Sequence, residues 1–220
     1  MKFDFGANGH IFAEAIATTL YIVTLALGIG GIAGLAMGVL LSITRKGGLR
    51  PNALVFNVLN VLINFFRPIP FIVFIAAMGP LTLAVVGSSI GTNAFLFPAS
   101  LMVSFASARL VEQALVNLDP GYIEAARSMG ASTWTIIRTV MLPEALAPLI
   151  LAYTFLFVAV VDMSALAGIV AGGGLGAFAL SYGYQRFDWA ITWITVGVIV
   201  LLVQGVQFLG NWLARRALHR

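Results

Sequence analysis

Asp119-Pro-Gly-Tyr-Ile-Glu124-Ala-Ala-Arg-Ser-Met-Gly130-Ala-Ser-Thr-Trp-Thr-Ile-Ile-Arg138-Thr-Val-Met-Leu142-Pro143-Glu144 is the longest polar interval between Glu14 and the C-terminus, and apolar stretches flank it on both sides. Asp119-Pro120 has the form of a helix N-cap followed by proline at the first helical position, where a missing N–H costs nothing. The helix so started carries Glu124 and Arg127 three residues apart on one face. Gly130 suits the turn that closes it. Ser132 or Thr133 can cap a second short helix through Thr135 to Val140, and Pro143 ends that helix or opens the next. The interval reads as helix, glycine turn, helix, held rigidly between two apolar spans.

Outward from it the chain is membrane-like. Of 220 residues 60% are hydrophobic and 9% charged, against about 25% charged in soluble domains. No cysteine is present, which removes disulfides and thiolate metal sites. The first thirteen residues lack the basic and compact apolar regions of a cleaved signal.

Five apolar segments are long enough to cross a bilayer, over about 15–43, 54–78, 92–113, 145–170 and 189–212. In the first, Gly30, Gly34 and Gly38 form a small-residue stripe on which another helix can pack closely. In the second, Arg67-Pro68-Ile69-Pro70 should kink or break the helix, and Arg67 must snorkel or find a carboxylate. Arg45, Lys46 and Arg50, then Arg109, Arg127 and Arg138, then Arg215, Arg216 and Arg220 fall on one side, while Lys2 and Arg186 fall on the other. The positive-inside rule therefore places the 119–144 segment and the C-terminus in the cytoplasm and the N-terminus outside.

Several chemistries are missing. No phosphate-binding Gly-x-x-x-x-Gly-Lys-Ser/Thr occurs, so the chain should bind no ATP itself. Gly172 to Gly176 lacks the strand-before, helix-after context of a dinucleotide loop and reads as close-packed backbone. His10 and His219 lie at opposite ends and cannot share a metal. No catalytic constellation is visible, so the expectation is a non-enzyme whose energy comes from a partner. A DNA-binding helix-turn-helix is disfavoured, because Arg127 and Arg138 alone make too small a phosphate footprint. A secondary transporter would show internal repeats and several mid-membrane carboxylates, whereas Asp162 stands alone in the fourth span.

Glu124-Ala125-Ala126, Gly130, Val140 and Leu142-Pro143 resemble, at every spacing, the signature of bacterial ABC importer permeases: Glu-Ala-Ala, three residues, Gly, nine residues, an aliphatic, one residue, Leu-Pro. Asn64 to Phe71, Ala108 to Leu115, Gly121 to Ala131 and Gly172 to Gly176 with Tyr182-Gly-Tyr184 are similar to the methionine-importing branch of that family, from about Thr18 onward. The resemblance implies an all-α integral membrane protein of the type I ABC importer permease fold. It implies five transmembrane helices and two short cytoplasmic coupling helices between spans three and four, in a bacterial plasma membrane. It further implies a homodimer with two ATP-binding cassette ATPase subunits, which bind the ATP and Mg, and an external substrate-binding lipoprotein. Nucleic acid has no part. The coupling residues carried over are Glu124, Ala125, Ala126, Arg127, Gly130, Val140, Leu142 and Pro143; Arg67, Asp162, Met163 and Ser164 are candidates for the translocation path or gate. Methionine in both stereoisomers is the implied cargo, with another small amino acid or related solute as the alternative. Val161-Asp162-Met163-Ser164 departs from the pattern, in which this stretch is apolar or small.

Overall fold

The computed structural model describes residues 5–218, with side chains from residue 9 onward. Lys2 and Arg220, which entered the charge reading above, and His219, which entered the metal reading, lie outside the described residues. Every regular element among the described residues is helical. Helix α1 (Phe5–Thr44) is 40 residues long. It packs along α5 (Thr92–Val116), which carries Pro98 within it. The contact is the glycine stripe: a Cβ at Gly30, Gly34 or Gly38 would overlap the Ser100 carbonyl, the Ser107 side chain or the Ala108 carbonyl. Between apolar helices in lipid no solvent drives association, so this close approach supplies the dispersion contacts that hold the pair. Ser107 adds an interhelical bond, its hydroxyl 3.2 Å from the Gly30 carbonyl that accepts it.

Between them the chain makes three short helices. Asn52 caps α2 (Ala53–Phe66), its side chain accepting from Val55 N–H at 3.1 Å. Arg67-Pro68-Ile69-Pro70 then breaks the helix, and α3 (Phe71–Ala77) leaves at 106° to α2. Proline removes two donors and fixes φ, so no continuous helix can cross this point. The segment expected as one span over 54–78 is thus a bent pair. Phe66 seals its corner by stacking on Phe105 of α5, with ring centroids 5.1 Å apart and planes at 6°. Helix α4 (Gly79–Val86) follows directly, with Pro80 in its first turn and left-handed Gly87 at its end. Among the described residues four helices are long and apolar enough to cross a membrane, and the α2–α3 pair makes five crossings if it counts as one.

The polar interval folds as α6 (Pro120–Ser128), α7 (Thr133–Ile136), a π-helical stretch over Ile137–Met141 and a single turn, α8 (Leu142–Glu144). The second short helix begins at Thr133 behind its Ser132 cap, as one of the two expected caps requires, and only a turn at Ala145 separates its continuation from the fourth span. Pro143 has no N–H to return to the carbonyl four residues back, and the wide turn accommodates this: Leu142 N–H bonds Ile137 O instead. Helix α9 (Leu146–Ser164) is followed by a 3-10 stretch over Ala165–Val170 and a left-handed Ala171. The glycines behind it are packed tightly: a side chain at Gly176 would overlap Ala165 backbone, and Leu175 N–H donates to Thr19 Oγ1 of α1 at 2.8 Å. After α10 (Gly174–Phe178), α11 (Trp189–Leu218) returns along α9, with Gly210 set against Thr154.

One core cluster joins Ile22, Val23 and Ala26 of α1 to Phe95, Ala99 and Val103 of α5 and Val160 of α9. A second, at one end, joins Ile43, Val111 and Leu115 to Ala126, Ile136, Ile137 and Met141. That end gathers the Arg45–Arg50 turn, Arg127, Arg138 and, through antiparallel α11, Arg215 and Arg216.

Candidate functional site

The 119–144 interval is a pair of short helices laid across the end of the bundle. Asp119 caps α6, Oδ1 accepting from Gly121 N–H at 2.8 Å. Gly130, at φ 76°, closes the helix in a Schellman turn: its N–H reaches Arg127 O, and Ala131 N–H reaches Ala126 O at 3.1 Å. Of the two capping candidates it is Ser132 that acts, accepting from Thr135 N–H.

Burial divides the interval into two faces. Ala126 is 3% exposed and fits among Ile136, Ile137 and Met141, with Val140 and Leu142 packed beside them. Glu124, Ala125, Gly130 and Pro143 point away from the bundle. With them stand three large apolar residues in the open: Tyr122 (52%), Met129 (81%) and Trp134 (68%). Bulky apolar side chains so exposed beside a polar stretch mark an interaction surface. Their presence inside an otherwise polar interval was the sequence signal for it. Small Ala125 and a glycine turn leave the backbone approachable between them.

Arg127 does not pair with Glu124, although three residues separate them. Its Nη2 donates instead to the carbonyl of Gly48, in the turn between α1 and α2, at 3.1 Å. A carbonyl presented by that tight turn, whose Gly47 sits at φ 82°, is held within the guanidinium's reach. The same turn and α6 enclose a groove lined by Arg45, Leu49, Ile123, Glu124 and Met141.

The second set of candidates is scattered. Arg67 is exposed at the end of α2, and no hydrogen bond to its side chain occurs among the described residues. Ser164 is buried and donates to Val161 O at 2.7 Å, so its hydroxyl serves its own helix. Met163 is half-buried and Asp162 exposed. Neither Arg67 nor Ser164 partners Asp162.

The chain's ion pair among the described residues is one that sequence reading missed. Arg109 Nη1 meets Glu112 Oε2 at 2.5 Å, and Nη2 reaches Asn60 Oδ1 and Asn64 Oδ1 of α2 at 2.8 and 2.6 Å. The sequence hints were the spacings: Arg109 and Glu112 three residues apart, and Asn60 and Asn64 one helical turn apart. No three His, Asp or Glu side chains converge as a metal would need, among the described residues.

An exposed helix–turn–helix bridging two apolar helices, with its motif split between core and surface, matches a known architecture. Residues 30–219 match the model of the binding-protein-dependent transport system inner membrane component family. The chain belongs to this family. Among other members of this permease family, the chain is 41% identical over 216 residues to the probable D-methionine transport system permease protein MetI of Vibrio cholerae, covering 98% of this chain and 96% of that protein. It is 40% identical over 173 residues to the methionine import system permease protein MetP of Bacillus subtilis, covering 78% of each. An inward-facing structure of the MetNI methionine ABC transporter contains a chain that superposes with a TM-score of 0.92 at 36% identity, covering 96% of this permease and 98% of that chain. The permease signature is divided in this fold: Glu124, Ala125, Gly130 and Pro143 are exposed, while Ala126, Val140 and Leu142 pack against the bundle.

Proposed function

We propose that this permease forms the membrane path of an ATP-driven importer of methionine, in both stereoisomers, working as a homodimer with two ATPase subunits and an external binding lipoprotein. Methionine is supported by the names of the relatives that match nearly the whole chain. The ATPase would bind in trans and supply the ATP and Mg, leaving this chain without catalytic residues of its own. The exposed face of the 119–144 interval is its docking surface. Glu124 is the charged anchor, Ala125 permits close approach, Tyr122, Met129 and Trp134 provide apolar contact, and Gly130 sets the angle between the two short helices.

The observation that carries this reading is the way the interval is mounted. Its inward residues, Ala126, Val140 and Leu142, are built into the same core as Val111 and Leu115 of α5 and Leu149 of α9. A push on the outward residues is thus transmitted to two spans as rigid-body motion. The basic clusters gathered at that end support a cytoplasmic location for it by the positive-inside rule, with the N-terminus outside. The test is uptake of labelled methionine by the permease reconstituted with its ATPase and binding protein, competed with a panel of amino acids. Uptake that requires ATP and is competed only by methionine supports the reading. Competition by another small amino acid at lower concentration would reassign the cargo, and uptake without any ATPase would favour a secondary transporter.

A further inference from the structure

Helix α11 has 30 residues, about 45 Å of helix, and must overrun a hydrocarbon layer about 30 Å thick. Its aromatic residues mark where. Trp193 and Trp212 are both exposed and lie about 28 Å apart along the axis. Indoles favour the two membrane–water boundaries, so this pair brackets the hydrocarbon layer. Arg215 and Arg216 then stand about 5–6 Å beyond one boundary, at the depth of lipid headgroups.

One face of this helix is open. Gly210, set against Thr154 of α9, and Ala214 are buried and mark the covered face. Leu201, Phe208 and Arg215 follow at intervals of seven on the opposite side, with Asn211, Trp212 and Arg216 beside them, and all six are exposed. From mid-span to its end the face changes from aliphatic to aromatic to cationic. A phospholipid changes in the matching order, from acyl chain to an anionic headgroup.

The Arg216 guanidinium lies over the Trp212 indole, 3.9 Å from the ring centroid. Stacked in this way, an arginine is held at the membrane boundary and keeps its N–H edge available to a phosphate. Neither Arg215 nor Arg216 meets a carboxylate among the described residues, where the ion pair is Arg109–Glu112. Asn211 adds an amide donor one turn before Arg215.

We propose that Asn211, Trp212, Arg215 and Arg216 hold the phosphate of an anionic phospholipid, whose acyl chains lie along Phe208 and Leu201. Two neighbouring guanidinium groups suit a phosphodiester, which each can hold bidentately. A second copy of the chain suits the face less well. A twofold helix pair would bond Gln204 of the same stripe across the axis, but it would set Arg215 against its own counterpart, and like charges repel. The site is independent of the cargo and of the docking surface on α6 and α7.

The test uses the complex of permease and ATPase in nanodiscs of phosphatidylcholine alone or of an equimolar mixture with phosphatidylglycerol. Native mass spectrometry should find phosphatidylglycerol retained on the wild-type permease, and thermal unfolding should shift upward in the mixed bilayer. Arg215→Gln or Arg216→Gln should lower that retention about fivefold. Both together should remove most of the upward shift, while unfolding in phosphatidylcholine alone stays unchanged. Arg215→Lys with Arg216→Lys should recover part of the preference, since charge returns without the bidentate fork.

Arginines that only complemented the helix end would stabilise both bilayers equally. An equal loss in the two bilayers, or a phosphatidylglycerol preference unaltered by the double glutamine variant, therefore overturns the proposal. Inorganic phosphate reproducing the shift in phosphatidylcholine alone also overturns it, because any anion then suffices. The chain contains no cysteine, so Phe208→Cys reports on the competing occupant. Disulfide-linked permease pairs formed on oxidation place a second copy on this face and overturn the lipid assignment. So does a double glutamine variant that loses its ATPase in both bilayers, which gives the arginines to a protein partner.

Discussion

The guanidinium of Arg127 donates to the carbonyl of Gly48 across 3.1 Å, joining the first of the short surface helices to the turn between α1 and α2. The proposed docking surface is therefore braced on α1 as well as on α5 and α9. Arg127→Ala removes this brace and leaves Tyr122, Glu124, Ala125, Met129 and Trp134 in place on the exposed face. The expected result is a permease that still assembles with its ATPase and stimulates hydrolysis, but moves fewer molecules of cargo per ATP. An exposed hydrogen bond is worth about 1 kcal/mol, so the fold itself should survive, and the ratio of uptake to hydrolysis is the measurement.

Gly130 holds φ at 76° in the turn between the two short helices. Any side chain there is strained by about 1 kcal/mol or more, and a bulky one also obstructs the surface. Gly130→Trp and, independently, Glu124→Lys should leave the permease inserted but reduce co-purification with the ATPase and abolish uptake. ATP-driven uptake by either variant at the normal rate would remove the docking assignment.

Two glycines of α1 make a controlled comparison. A Cβ at Gly34 would collide with the Ser107 side chain and the Ser104 carbonyl of α5, whereas one at Gly28 meets nothing within 4 Å. Gly34→Ala should destabilise the α1–α5 pair by about 1–3 kcal/mol through forced repacking. Gly28→Ala should leave stability unchanged or slightly higher. Thermal unfolding in detergent, comparing the two, reads the difference directly.

The polar cluster of Arg109, Glu112, Asn60 and Asn64 predicts a graded series. Glu112 is 8% exposed, so Glu112→Ala leaves a charged Arg109 with only the two asparagine carbonyls and should cost about 1–3 kcal/mol. Glu112→Gln keeps an acceptor and should cost less. Arg109→Leu frees Asn60 and Asn64 from α5 and should loosen α2 most. Limited proteolysis at the Arg67–Pro70 break, compared across the three, reports how firmly α2 is held.

Several features were legible before any coordinates because their physics is local. Asp119, Gly130 and Ser132 cap or close helices through contacts within five residues of themselves. Prolines at 68 and 70 break the second span wherever it lies. The glycine stripe needed only helical periodicity to announce a close helix contact, though not which helix would make it. Composition placed the chain in a membrane, since a sequence this poor in charge has no other solvent.

What the sequence could not supply was every choice between distant partners. Arg127 had Glu124 three residues away and took Gly48, 79 positions earlier. Arg109 found Asn60 and Asn64, 49 and 45 positions back. The same holds for the permease signature: its residues follow one another in the chain, but whether Ala125 or Ala126 faces outward depends on which side of α6 meets α5 and α9. Periodicity fixes which residues share a face, and only the packed bundle decides which face is covered, because burial belongs to the neighbours and not to the helix.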